Sequence, residues 1–315
     1  MSLITLDDIA SAAERIAPHV TRTPLLPALS LGEQLGCQLF VKCELFQRTG
    51  SFKIRGGFNK GLSLSDEERS RGIIAFSAGN HAMSVAHIGA TLGVPVVVCM
   101  PAHSVQFKVD AVRAMGAELD LVDGDLVARA MARMESGGFT LMHPFDDPAM
   151  IAGHATCGQE IIEDLPEVDT VLVPTGGGGL ISGVAAAIKL HRPATRVIGI
   201  EPAGANVVSL SCAAGHPVTL ASPKSLADGL AAPIAGSLNL IHIEAFVDDL
   251  VTVPEESIGP AWLEMVNTTK LAVEPAAAVG VAAIRTGAIS VDPDETVCMI
   301  ASGGNADFAR LADFS

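Results

Sequence analysis

Apolar positions along this chain follow two alternating rhythms. Short apolar or alternating runs occur at 38–45 (QLFVKCEL), 72–77 (GIIAFS), 95–100 (PVVVCM), 118–123 (ELDLVD), 139–143 (FTLMH), 170–174 (TVLVP), 196–201 (RVIGIE), 249–253 (DLVTV) and 295–301 (ETVCMIA). Their length and branched content predict strands. Between them, Ala-rich segments such as 80–92, 105–115 and 179–191 repeat their apolar residues with helical spacing. A first helix is predicted near the N-terminus, opened by Thr5, with Ile9, Ala12, Ala13 and Ile16 on one face. Strand–helix alternation predicts parallel sheets covered on both faces, an α/β architecture. The strands are too many for one sheet, so two lobes are expected, tightly joined because no low-complexity tract or long linker separates them.

Composition narrows the function. The 315 residues are 49% hydrophobic and 17% charged, enough for a large core, and the net charge of −15 excludes a nucleic-acid binder and an anionic membrane surface. The densest apolar run, 94–100, has the length of a buried strand and not of a membrane span. The N-terminal segment has neither a basic start nor an apolar stretch of leader type. Six cysteines lie far apart with no CxxC pair, so disulfides and a zinc cluster are not expected, and the expected compartment is the cytoplasm.

Three strands end in glycine-rich turns that enter helices: 76–82 (FSAGNHA), 173–183 (VPTGGGGLISG) and 300–306 (IASGGNA). In α/β folds ligands bind beyond the carboxyl ends of strands, so the three turns are expected to converge on one ligand. Gly176, Gly177, Gly178 and Gly179 allow backbone N–H groups to close around an anion at the positive end of a helix beginning near Leu180. The loop lacks GK[ST] and is no GxGxxG fingerprint, although Glu201 stands near the position a dinucleotide site wants, so a Rossmann dehydrogenase remains a rival. Lys53 sits in "TGSFKIRGG" (49–57) between Phe52 and Ile54. Burial beside Phe52, together with a helix capped by Ser51, would keep its amine neutral and nucleophilic. A neutral lysine plus a phosphate cradle calls for a phosphorylated aldehyde held covalently, and pyridoxal 5′-phosphate is the obvious one.

The chain resembles the fold-type II pyridoxal-phosphate enzymes, specifically the serine/threonine dehydratase and serine racemase group. The matching stretches are "KCELFQRTGSFKIRGG" (42–57), "SAGNHA" (77–82), "HPFDDPAMIAGHAT" (143–156), "PTGGGGL" (174–180), "EP" (201–202), "ADG" (227–229), "EPAAAVGVAA" (274–283) and "SGGN" (302–305), in the family's order. The resemblance implies a two-lobed fold of the tryptophan synthase β type. Each lobe would be an open, twisted, mostly parallel sheet flanked by helices, with 1–71 and 146–315 as the large domain and 72–145 as the small one. It implies that Lys53 carries the cofactor, Phe52 packs beside its ring, Gly176 to Gly179 and the Leu180 N–H hold its phosphate, Asn80 bonds its 3′-oxygen, Gly229 lies at the ring edge and Ser302 faces the pyridine nitrogen. Ser77, Ala78, Gly79, Asn80 and His81 would bind the substrate carboxylate. The Ser302 hydroxyl donates to an unprotonated ring nitrogen, where an aspartate would keep it protonated. Each piece also has a plainer reading: Asn80 as a helix-start residue, Glu274 as a turn charge, His81 as a packing histidine.

The implied reaction removes the α-proton with the Lys53 amine and the β-hydroxyl with help from the cofactor phosphate. L-Serine would give pyruvate and ammonia; L-threonine would give 2-oxobutanoate. Serine racemases place a second acid/base, a serine, just before the Gly-Asn of the substrate loop; Ala78 stands there and cannot move a proton. β-Replacement enzymes read differently around the lysine and the asparagine loop, and a cofactor carrier would have little need of the substrate loop. Two departures matter. The family's divalent-cation site matches at Glu201 and Ala205, but Val207 replaces its aspartate, and one carboxylate is a poor cage for Ca²⁺ or Mg²⁺. Activation by a divalent cation is therefore not expected, and a monovalent cation held by backbone carbonyls stays open. His154 and Ala155 stand where Gln-Gly is common, as a structural histidine or as a residue tuning the substrate. The tuning would suit a less common β-hydroxy amino acid, such as threo-3-hydroxyaspartate or a hydroxyectoine breakdown product. The chain ends soon after the last strand, so no regulatory domain is expected, and the family implies a homodimer, with which a mean hydropathy of +0.42 is compatible.

Overall fold

The computed structural model describes residues 2–314. Two separate sheets carry the fold. The larger has six strands in the order β1 (Leu25–Pro27), β2 (Gln38–Lys42), β10 (Thr296–Ile300), β7 (Thr170–Pro174), β8 (Arg196–Pro202) and β9 (Asp249–Val253). The smaller runs β5 (Glu118–Val122), β4 (Val96–Pro101), β3 (Ile73–Phe76), β6 (Thr140–Leu141). All neighbours are parallel except β1, which pairs antiparallel with β2 at the edge. This is the α/β pair of open, mostly parallel sheets that strand–helix alternation predicts.

The sheets are buried on both faces, as parallel sheets require. Along β10 the side chains alternate: Val297 and Met299 join a core with Leu39, Val41, Trp262 and Ile258. Cys298 and Ile300 join the opposite one with Val171, Val173, Ile181 and Val184. That period of two is why one apolar run serves two helical layers. Thr5 opens the first helix, Leu6–Ile16, with a capping box to Asp8, as its spacing predicts.

Three differences from the sequence reading have local causes. β1 follows Pro24 and ends on Pro27, in "TPLLPALS", and three residues are too few to show a period. β2 stops at Lys42 because residues 44–46 wind into a short helical turn that buries Glu44 and leaves Phe46 exposed. β6 is cut to two residues, aligned with Ile73 and Ile74.

Candidate active site

Lys53 begins the helix Lys53–Leu62. Ser51 does not cap it: Phe52 occupies the cap position, and Ser51 forms an antiparallel bridge with Gly303, its hydroxyl buried without a partner. That bridge is one rung of a zipper. The Phe52 N–H donates to the Ser302 carbonyl (3.0 Å), the Gly304 N–H to the Gly50 carbonyl (2.9 Å), and the Asn305 amide to the Thr49 carbonyl (2.8 Å). The turn after β10 is thereby fixed against the lysine segment, which brings Ser302 beside Phe52.

The helix is anchored by a buried charge cluster two residues on. The Arg55 guanidinium, fully buried, grips Glu44 with two hydrogen bonds (2.7 and 2.8 Å) and Glu160 with two more (2.7 Å each). Lys42 adds an ion pair to Glu160 at 2.7 Å, and Thr23 donates to Glu44 at 2.5 Å. Paired bidentate geometry repays much of the desolvation of these ions. The two guanidinium contacts pull the Glu44 carboxyl below its usual range against the opposing effect of burial. His154 wedges below the same helix, against Gly56 and edge-on to Phe52 at 4.9 Å, with Nδ1 on the Met150 carbonyl.

The Lys53 amine donates to the Pro144 carbonyl at 2.8 Å and stands 5.1 Å from the centre of the Phe52 ring. Loss of solvent lowers its pKa from 10.5 to about 8, while the Glu274 carboxylate pulls the other way. Covalent capture of pyridoxal 5′-phosphate by apoprotein needs the neutral amine. Its rate is expected to rise with pH up to about 8 and flatten above. A rate still climbing towards 10.5, followed by absorbance after rapid mixing, would count against a desolvated lysine.

Pro144 links this amine to the glycine loop. The next residue, Phe145, lies against the loop: a Cβ at Gly177 or Gly179 would strike its ring or its Cβ. One at Gly176 would press the Leu230 backbone at 3.1 Å, and one at Gly178 would meet Asn239 at 2.8 Å. The glycines are therefore needed behind the loop as well as in front of it. Gly178 has φ +99°, and the helix Gly179–His191 starts immediately after. The N–H groups from Gly176 to Leu180 donate to no acceptor among the described residues. Five consecutive unsatisfied donors at a helix N-terminus are the complement of a phosphate group.

The third turn comes from the small sheet. The Ser77 hydroxyl accepts from the Gly79 N–H (3.1 Å), and the helix Asn80–Leu92 follows, leaving the N–H groups of Asn80, His81 and Ala82 without a carbonyl partner among the described residues. The Asn80 amide donates to both oxygens of Glu274 (2.9 and 3.1 Å), and its own oxygen accepts from Asn305 (2.8 Å). His81 is buried, with Nε2 donating to the Met142 carbonyl at 2.7 Å and Nδ1 unpartnered. Burial and the Lys53 charge hold it neutral, near pKa 3. Burial raises the Glu274 carboxyl to about 7, against the Asn80 hydrogen bond. A Cβ on Gly229 would lie 3.5 Å from the Glu274 carboxylate.

Lys53, Phe52, Ser302, Asn80, Gly229 and the loop 176–180 are thus joined by direct contacts or through Pro144–Phe145 and Glu274. Glu201 does different work. Both its oxygens are taken by the N–H groups of Val208 and Ser209 and the Ser209 hydroxyl (2.8, 2.8 and 2.5 Å), at the start of the helix Val207–Ala214. Ala205 is buried in the preceding turn. Sequence reasoning left Glu274 between a turn charge and a site lining, and missed Lys108. The only available signal for Lys108 was its place just beyond the carboxyl end of β4.

Comparison with known proteins gives this arrangement its family. The profile of the pyridoxal-phosphate dependent enzymes matches residues 16–303. The chain belongs to that family. Its relatives include an L-threonine ammonia-lyase of Thermotoga maritima, 40% identical over 97% of this chain and 76% of that protein. An L-threo-3-hydroxyaspartate ammonia-lyase of Saccharomyces cerevisiae is 36% identical, covering 99% of this chain and 96% of that protein. Among solved structures, maize serine racemase superposes with a TM-score of 0.93 at 37% identity, covering 99% of this chain and 97% of that one. The two sheets are accordingly those of a fold-type II pyridoxal-phosphate enzyme. No helix among the described residues is long and apolar enough to cross a membrane.

Proposed function

We propose that the protein is a pyridoxal-phosphate dependent ammonia-lyase that dehydrates a β-hydroxy L-amino acid of the L-threonine or L-serine type to a 2-oxo acid and ammonia. The observation that carries this reading is the run of unsatisfied N–H groups at 176–180, set through Phe145 and Pro144 against a desolvated Lys53 amine. The residues present fit the cofactor: a phosphate cradle, a nucleophilic lysine, a flat neighbour in Phe52 and a buried hydroxyl at Ser302. When bound, pyridoxal 5′-phosphate supplies the electron sink that acidifies the substrate's α-carbon.

The chain's residues do the rest. Lys53 would hold the cofactor and, as a free amine, would take the α-proton; its lowered pKa keeps a useful fraction neutral near physiological pH. The turn Ser77–His81 receives the substrate carboxylate on the free N–H groups of the helix Asn80–Leu92. Asn80, fixed from two sides by Glu274 and Asn305, is positioned for the ring oxygen, and Gly229 leaves space at the ring edge. Ser302 would offer the ring nitrogen a neutral donor, which suits prompt loss of a β-leaving group. Residues 72–145, which contain the whole smaller sheet, form the small domain, and 1–71 with 146–315 the large one. The functional unit is a homodimer, and no divalent cation is required, because Glu201 already serves a helix start.

Racemisation is disfavoured by Ala78, whose methyl group carries no proton to the opposite face. The test is 2-oxo acid release by pyridoxal-phosphate-loaded protein on L-serine, L-threonine, their D-forms and threo-3-hydroxyaspartate. Rapid turnover of L-threonine or L-serine is expected, with little D-serine formed. Turnover confined to hydroxyaspartate would move the substrate to that of the yeast relative, and inactivity on the whole panel would overturn the lyase reading.

A further inference from the structure

Lys108 lies on the helix Gln106–Ala114 of the smaller lobe, and its side chain is only 7% exposed. Its sole ion-pair partner among the described residues is Asp228, at 3.0 Å, which sits in the turn Asp228–Leu230 beside Gly229 and is 59% exposed. The pairing is unbalanced. A buried ammonium loses most of its hydration, whereas a carboxylate still wetted by solvent returns little Coulomb energy.

The surroundings explain the burial. Lys108 Nζ is 3.5 Å from where a Cβ of Gly79 would stand, so the ammonium presses on the middle of the turn 77–81. The next three N–H groups, of Asn80, His81 and Ala82, have no carbonyl partner among the described residues. The Lys108 charge also reaches Glu274, where it opposes the effect of Asp228 on that carboxyl. Nearby, His81 is neutral, and Lys53 belongs to the large lobe and is taken up by the cofactor in the function proposed above, so Lys108 is the cation that flanks the turn from the small-lobe side.

We propose that Lys108 is a substrate-binding residue: it pairs with the α-carboxylate of the amino acid seated on the turn 77–81, and Asp228 is the resident carboxylate that the substrate displaces. This rests on the function proposed above. A carboxylate on the free N–H groups beside Gly79 lies within reach of the flexible lysine head, and it exchanges a half-hydrated partner for one sequestered in the site. The exchange also unfastens Asp228 from the small lobe as substrate enters.

The two ends of the pair then have opposite effects on substrate binding, which a purely structural clasp does not produce. The probe is L-alanine, which has no β-leaving group, titrated calorimetrically into the holoenzyme, with KM and kcat for L-threonine measured in parallel. Lys108→Met is expected to weaken L-alanine roughly 10- to 100-fold, the worth of a charge-assisted hydrogen bond, with the loss falling on KM more than on kcat. Lys108→Arg restores most of it. Asp228→Asn removes the competitor and tightens L-alanine binding. If both Lys108→Met and Asp228→Asn weaken binding alike, or if Lys108→Met leaves the L-alanine Kd unchanged, the proposal is overturned. Wild-type holoenzyme that binds no L-alanine and dehydrates no β-hydroxy amino acid would instead overturn the parent function.

Discussion

Lys53→Ala is expected to abolish practical turnover, by about 10³-fold or more, since in the function proposed above one substitution removes both the cofactor's covalent anchor and the base for the α-proton. The same variant should bind pyridoxal 5′-phosphate only through the 176–180 donors and the ring neighbours. The visible absorbance of lysine-bound cofactor would disappear while weak, dialysable binding persists. Two readouts keep the result interpretable. Circular dichroism should be unchanged, because the amine's one hydrogen bond, to the Pro144 carbonyl, is a minor part of the fold. Dehydratase activity comparable to the wild type would place the chemistry elsewhere.

Arg55→Met is expected to be the most damaging substitution for stability away from the reacting atoms. It leaves Glu44, fully buried, facing only Thr23, Gln47 and the ammonium of Lys42, and takes two hydrogen bonds from Glu160. Leaving one partner of a buried pair uncompensated typically costs about 3–5 kcal/mol. Denaturant unfolding of the apoprotein should show a lower midpoint with little change in slope. Because Arg55 fixes the helix that starts at Lys53, cofactor affinity should fall as well. The charge-retaining Arg55→Lys should not rescue, since one ammonium cannot make two bidentate contacts. An unshifted midpoint for Arg55→Met would mean that the cluster contributes nothing net to folding.

Much of this was legible in the chain. Strand lengths and helix spacing predicted two parallel sheets, because buried strands need continuous apolar runs and covering helices need a stripe. The three glycine turns were visible as strand–turn–helix junctions, and the motifs at 42–57, 77–82 and 174–180 pointed to the cofactor before any geometry was known. Ser51 shows where local reasoning failed: a serine before a helix favours capping, yet the turn after β10 claims its backbone for a bridge with Gly303. Propensity within four residues cannot register a partner some 250 positions away.

The sequence by itself determined the layered α/β fold and the kinship with pyridoxal-phosphate dependent enzymes, because these depend on residue type and short spacing. Only the tertiary structure decided the electrostatics. That Glu274 is buried on Asn80, that Glu201 is consumed by the start of a helix, and that Lys108 stands against Gly79 while tethered to Asp228 are all consequences of distant segments meeting. Charge interactions act through space and depend on burial, so a carboxylate or an ammonium has no fixed role until its neighbours and its solvent are known.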